Sequence, residues 1–366
     1  MMQVLREWPP GFGGVERVAH GLASELGGSV FSLRPSPSGC PDPLSVSYQR
    51  YILPSTDVGR VLFPLPSRPL LCLITSREPL LVHLPCPTVL VLLLLARVCR
   101  PRRVLRVYWH AFLAPRAGVG GWLEALYQTL ALRWISLFPV LTTSPQLVEA
   151  LQAEGVARVQ CLPCALPPVT EAACTAHWQL RDHGPSPTSR SVIAIGRLES
   201  YKRIDWLIEA VAAAPAVQRL EVIGDGPDRS RLEALARGRL RQHQQAVFWG
   251  RLAEAAKLER LASAAVLVLP ADRCNEAFGI VQLEAMACGV PALAYDLPRS
   301  GMHGVSALPA LPWSGQPADL AALLQRLLSS PNLQRLASTQ ARARYDCDFA
   351  LECWRCRVAQ LALGDG

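Results

Sequence analysis

Asn275 to Pro291 reads NEAFGIVQLEAMACGVP, and the organisation of the chain can be worked outward from it. Ile280 to Cys288 is a helical run in which, the thiol aside, only Gln282 and Glu284 are polar. Gly289 and Pro291 stop the run in the usual order, glycine in the left-handed cap and proline just beyond. A helix this apolar is buried, and a carboxylate inside it, Glu284, calls for a partner that offsets its desolvation. Val266 to Leu269, just upstream, reads as a buried strand.

Eight residues before Glu284, Glu276 falls in the loop entering the helix. There the amides of Ala277, Phe278 and Gly279 are expected to carry the positive end of the helix dipole outward, an arrangement that suits an anion. One carboxylate at the mouth and a second about a turn inside fit a ligand with anionic and hydroxyl-rich parts, such as a nucleotide sugar. An acid complementing the dipole plus a structural buried glutamate accounts for the same residues.

Glu-X7-Glu followed by AMACGVP resembles the signature of retaining glycosyltransferases of the GT-B fold, glycosyltransferase family 4. The resemblance extends over nearly the whole chain. Trp8 to Glu16, WPPGFGGVE, is similar to the family's PPxxGGxE element, which implies that Gly13 and Gly14 bind the donor, Gly14 against its phosphate and sugar. His110, after the strand Val104–Tyr108, resembles a family histidine that points toward the transferred sugar, whereas His83 reads as structural. TTSPQL, with Ser144 as a helix cap, resembles the TSxxL segment.

Gly196, Arg197 and Lys202 follow the strand Val192–Ile195 as GRLxxxK. Two fixed cations at the carboxyl end of a strand are placed to neutralise the charge of a leaving diphosphate. The same pattern resembles the family's diphosphate-binding element. Gly226, in GDGP after Leu220–Ile223, and Gly250-Arg251 after Val247–Trp249 are similar to segments that contact the nucleoside. By resemblance, Glu284 takes the ribose hydroxyls and Glu276 a sugar hydroxyl. Beyond Ala292–Ala294 the chain reads YDLPRSGMHGV and departs from the glycine pair and Pro-Glu common among relatives.

The alternation of strands and helices, and 366 residues, predict an α/β chain of two Rossmann-like domains facing a central cleft, the GT-B fold. The expected boundaries are residues 1–168 for an acceptor-side domain and 169–190, polar and rich in proline, for a linker. Residues 191–345 form the nucleotide-sugar domain, and 346–366 a helix that packs back on the first domain.

Composition narrows the function. Half of the residues are hydrophobic, which excludes a disordered chain. Met1 to Pro10 lacks an apolar export segment, and Val89–Ala96 falls short of a membrane span, so a cytoplasmic protein is expected. The twelve cysteines, including Cys161/Cys164 and Cys353/Cys356, read as reduced thiols. No metal or cofactor is expected: Asp346-Cys347-Asp348 imitates a metal-binding DxD, but its place before the last helix suits a cap.

The net charge is +8, and residues 1–190 hold +6 of it, with Arg97, Arg100, Arg102, Arg103 and Arg106 clustered. Gly121 to Phe138 carries Trp122, Leu126, Leu130 and Trp134 on one line. That line is either a core-packing face or, with the arginines, a face resting on the inner membrane surface.

The implied function is retaining transfer of a hexose-type sugar from a UDP- or GDP-sugar to a saccharide or lipid-linked acceptor, in cell-surface polysaccharide, lipopolysaccharide or glycolipid synthesis. A sugar-nucleotide epimerase or phosphorylase on the same fold is the alternative. A non-catalytic membrane- or nucleic-acid-binding protein is the third reading, though nothing resembles a nucleic-acid module.

Overall fold

The computed structural model describes residues 1–11, 13–35, 46–59, 61–114, 116–180 and 190–363. The chain divides into two compact units, Met1–Cys164 with Arg357–Gly366, and Ala165–Cys356.

The strands of the first unit are β1 (Met2–Leu5), β2 (Ser29–Ser32), β3 (Gln49–Ile52), β4 (Ser55–Val58), β5 (Val61–Pro64), β6 (Leu80–Leu84), β7 (Leu105–Trp109), β8 (Val140–Thr142) and β9 (Val159–Cys161). Its helices are α1 (Gly14–Leu26), α2 (Arg68–Thr75), α3 (Pro87–Cys99), α4 (Gly118–Ile135) and α5 (Pro145–Ala153). Seven strands make a parallel sheet in the order β3-β2-β1-β6-β7-β8-β9, and β4 and β5 pair as an antiparallel hairpin. Parallel strands covered on both faces read as continuous apolar runs, as Leu80–Leu84 does with every residue buried. The chain winds outward from β1 to β3 and returns to lay β6 on the other side of β1. The carboxyl ends of β1 and β6 therefore part at a switch point, where open sheets of this kind take ligands.

The second unit repeats the plan. It contains α6 (Pro168–Gln179), β10 (Ser191–Ile195), α7 (Ile204–Ala213), β11 (Arg219–Ile223), α8 (Arg229–Arg239), β12 (Gln245–Gly250) and α9 (Glu254–Ser263). Then come β13 (Val266–Leu269), α10 (Val281–Ala287), β14 (Ala292–Ala294), α11 (Met302–Ser306), α12 (Leu320–Ser329) and α13 (Pro331–Asp348). The parallel sheet runs β12-β11-β10-β13-β14, which puts its switch point between β10 and β13. Helix α14 (Leu351–Leu363) starts in this unit, and its residues from Arg357 on group with the first.

Three expectations are corrected. Part of the passage read as a linker is α6, which packs on α9 and α10 because Cys174 is fully buried there; residues 181–189 lie outside the described set. Asp346 to Asp348 end α13 instead of capping the last helix, and Arg342 binds Asp346 one turn earlier in that helix at 2.8 Å. In α4 the line Trp122, Leu126, Leu130 and Trp134 is exposed, while Gly121, Gln128, Ala131, Leu132 and Ile135 face the unit. The core-packing reading of that line therefore fails. No helix among the described residues is long and apolar enough to cross a membrane.

Candidate active site

The loops leaving β10 and β13 meet at the switch point of the second sheet. Gly196 and Arg197 follow β10, Lys202 closes a short turn over Ser200–Lys202, and Glu276 comes from the loop after β13. Together with Pro270 and Ala271 they line one pocket. Lys202 Nζ lies 2.6 Å from Glu276 Oε1, and the Tyr201 hydroxyl donates to the same oxygen at 3.4 Å. Arg197 is more exposed and holds Glu199 at 2.9 Å. The loops are stapled to each other by Arg203, which binds Asp205 at 3.1 Å and Asp272 at 3.2 Å and covers the Trp206 ring. A backbone bond from the Asp272 amide to the Tyr201 carbonyl, 2.9 Å, adds to the tie.

The structure thus brings together four of the sequence-predicted residues, Gly196, Arg197, Lys202 and Glu276. What sequence reasoning missed is their wiring. Tyr201, Arg203, Asp272 and Ser300, whose hydroxyl donates to the Glu276 carbonyl at 2.6 Å, carried no motif signal. Ala277 and Phe278 are buried beside Gly279 at the entrance to α10, which has seven residues. Among the described residues the three amides meet no acceptor of the chain. Gly279 takes the left-handed φ of +71° that turns the loop into the helix.

Glu284 does have a dedicated partner, and it is Lys257 of α9. Lys257 Nζ is 2.6 Å from Glu284 Oε2, and the two side chains are 12% and 2% exposed. The ammonium also holds Glu254 at 2.8 Å. Burial works to lower the lysine pKa, but the two carboxylates outweigh it and hold it above its ordinary value. The Glu284 carboxylate faces α9 and lies outside the lining of that pocket. Lys257 sits in EAAKLERLAS one residue before the buried Leu258, so a lysine on the inward side of an amphipathic helix was the missed clue.

Of the glycines expected at the nucleoside, Gly226 sits in the loop after β11 and Gly250 is the last residue of β12. A Cβ at Gly226 would lie 2.4 Å from the Leu198 carbonyl oxygen, so close packing of two loops demands glycine here whether or not a ligand approaches. Arg251 is exposed at the end of β12.

In the first unit, Gly13 and Gly14 form the turn from β1 into α1. Glu16 folds back over this turn, and a Cβ at Gly13 would meet its carboxylate at 2.2 Å. His110 follows β7, so the turn and the imidazole belong to the carboxyl edge of one sheet, near its switch point. His110 is buried, stacked on Tyr108 at 4.4 Å, and hydrogen-bonded to His83 at 2.8 Å. Burial holds both imidazoles neutral, lowering His83 to about 3 and His110 well below its usual value.

These two sheets, each with a glycine turn and polar side chains at its switch point, are the parts of a GT-B fold, and the chain has that fold. Residues 178–344 match the family described as "Glycosyl transferases group 1". Over 83 residues the chain is 42% identical to D-inositol 3-phosphate glycosyltransferase of Streptomyces bingchenggensis, a stretch that covers 22% of this chain and 17% of that protein. HepE of Anabaena, solved in complex with UDP, superposes with a TM-score of 0.70 at 15% identity, covering 99% of both chains. Sucrose-phosphate synthase of Thermosynechococcus elongatus gives 0.69 at 19% identity, covering 99% of this chain and 98% of its own.

Proposed function

We propose that this protein is a retaining glycosyltransferase of family 4 that moves a hexose-type sugar from a UDP- or GDP-sugar to a saccharide or lipid-linked acceptor, in cell-surface polysaccharide, lipopolysaccharide or glycolipid synthesis. The observation that carries the proposal is the grouping of Gly196, Arg197, Lys202 and Glu276 around one pocket at the switch point of the second sheet. The matched glycosyltransferase domain, residues 178–344, contains all four.

In this reading the diphosphate of the donor takes the place at Lys202 and Arg197 now held by Glu276 and Glu199. The small glycine at 196 lets phosphate approach the end of β10. As the anomeric carbon–oxygen bond breaks, the electron pair stays on the diphosphate, and the two cations stabilise that charge. Glu276, released from Lys202, accepts a hydrogen bond from a sugar hydroxyl. The acceptor hydroxyl attacks from the face that the diphosphate leaves, and its proton passes to the departing phosphate oxygen, so configuration is retained. The two cations supply the charge that a metal would otherwise provide. By the family resemblance Gly13 and Gly14 are assigned to the donor and His110 to the transferred sugar.

The exposed apolar line of α4 supports a further element of this reading, contact with the inner membrane surface. Trp122 is 64% and Trp134 46% exposed, and Arg97, Arg100 and Arg102 of the same unit are exposed, whereas Arg103 of that cluster is buried on the carbonyls of Glu78 and Leu73. Tryptophan at the headgroup level with arginines for anionic lipid is the composition that such a surface favours.

The donor proposal is tested by thermal melting of the full chain against UDP-, GDP- and ADP-sugars, with Lys202→Met and Arg197→Ala alongside. One nucleotide class is expected to raise the melting temperature, and both variants to weaken that shift. No shift with any nucleotide sugar, followed by no transfer to saccharide or lipid acceptors, overturns it.

A further inference from the structure

Behind the carboxyl edge of the first sheet, three polar side chains from adjacent strands form a buried row. Gln3 lies on β1, His83 on β6 next to it, and His110 just past β7, and all three side chains are buried. Gln3 Nε2 donates to the Ala19 carbonyl of α1 at 3.3 Å, which turns Gln3 Oε1 toward β6. His83 Nε2 is 2.9 Å from that oxygen. An amide oxygen only accepts, so the proton of the neutral His83 ring sits on Nε2. His83 Nδ1 then holds a lone pair, and His110 Nε2, 2.8 Å away, must be the donor. A neutral ring has one N–H, which leaves His110 Nδ1 as a bare acceptor, with no partner among the described residues.

We propose that Gln3 and His83 are positioning residues whose function is to fix the tautomer of His110, so that His110 Nδ1 accepts a hydrogen bond from a substrate hydroxyl and discriminates against a substrate that lacks it. The carbonyl of Ala19 determines the face of the Gln3 amide, the amide determines the His83 proton, and His83 determines that of His110. Two stacked rings, Tyr108 against His110 and His83 against Tyr108, keep the imidazoles in the plane this hand-over needs. A histidine required only for packing is satisfied by any carbonyl, and needs no aligned side chains from residues 80 and 27 positions apart. That the hydroxyl belongs to a sugar rests on the glycosyl-transfer reading; the tautomer does not.

The test begins with the full chain carrying 15N-labelled histidine, in which proton–nitrogen correlation of each ring at pH 7 reports which nitrogen is protonated. His110 is assigned by the signal lost in His110→Gln. Both His83 and His110 are expected as neutral Nε2–H rings, and His83→Phe, which keeps a ring in the stack, is expected to give His110 a mixture of tautomers. Gln3→Leu reads the far end of the same relay if the first variant does not fold. In transfer assays with a series of deoxy donors and deoxy acceptors, the wild type is expected to lose at least about tenfold in kcat/KM for one missing hydroxyl. His83→Phe is expected to erase that one discrimination and leave the other positions unchanged. An Nδ1–H ring at His110 in the wild type, an unchanged tautomer in the folded variants, or a discrimination that survives them overturns the proposal. If no nucleotide sugar is turned over, the transferase reading falls, and the ring spectra still decide the relay.

Discussion

Replacing Lys257 by methionine probes the buried pair on which α10 rests. The ammonium lies between Glu284, whose side chain is 2% exposed, and Glu254, which is 53% exposed. Lys257→Met therefore strands the Glu284 carboxylate inside the unit without that cation, and breaking a buried pair from one side costs about 3–5 kcal/mol. Glu284→Gln is milder, about 1–2 kcal/mol, because the lysine keeps Glu254 and gains an amide of the same shape. Removing both charges, Lys257→Met with Glu284→Leu, ends the desolvation of the two ions together, and is expected to fall within about 1 kcal/mol of wild type. Each kcal/mol moves the melting temperature of a unit this size by about 2–4 °C, so Lys257→Met should melt roughly 6–20 °C lower. Urea unfolding of the four forms measures the three losses, and each form is then melted again with the nucleotide that stabilises the wild type. A loss below about 1 kcal/mol in Lys257→Met would refute the structural reading of the pair. A Glu284→Gln form that melts like wild type but no longer responds to nucleotide would refute it too, and would support for Glu284 the ribose role that the resemblance implies.

Lys202→Met should cut kcat/KM by about 10²–10³-fold, the size seen when one preorganised charge stabiliser is removed, while Arg197→Ala, at an exposed position, should cost less; steady-state kinetics of both variants check the order. On the acid side, His83 is neutral in the fold down to about 3, against an ordinary value of 6.5. The unfolded chain therefore binds its proton first, so the contribution of His83 is complete above pH 6.5 and is lost as the pH falls toward 3, amounting to about 5 kcal/mol over that window. Denaturant midpoints measured from pH 7 to pH 4 should fall, and the fall should be shallower in His83→Phe. Trp122→Ser with Trp134→Ser should weaken sedimentation with anionic vesicles by tenfold or more without changing the melting temperature, since both rings are exposed. Equal sedimentation of variant and wild type would remove the membrane contact from the proposal.

Local signals in the sequence carried the fold a long way, and the reason is that both sheets are parallel. Strands covered on both faces must be written as short apolar runs, so VIAI at 192–195 and VLVL at 266–269 declare themselves, and the turn after each is where a ligand is met. The end of α10 was equally legible: Gly289 takes a φ of +70°, and the Val290 amide closes on the Ala285 carbonyl at 2.8 Å. Pairings across the fold were not legible. Lys202 and Glu276 are separated by most of a sheet in sequence, and nothing near either residue says that the other end of a 2.6 Å ion pair lies there. The same holds for Gln3, His83 and His110, whose alignment exists only because β6 returns to pair with β1 after the chain has built β2 and β3.

Helix α4 shows the limit from the other direction. An i, i+4 line of large apolar residues is the ordinary mark of a buried face, yet here a different set, Gly121, Gln128, Ala131, Leu132 and Ile135, is the one turned inward. The Gln128 side chain accepts from the Leu113 amide at 2.6 Å, so a polar residue on the inward face anchors the loop that leads into the helix. Once that face is occupied, Trp122 and Trp134 have only the outside left to them, because 3.6 residues per turn cannot bring both faces to one core. Periodicity marked one apolar line of the helix, but a second apolar set, Ala131, Leu132 and Ile135, is the one that meets the protein, and that leaves an apolar, tryptophan-bearing surface open to a partner.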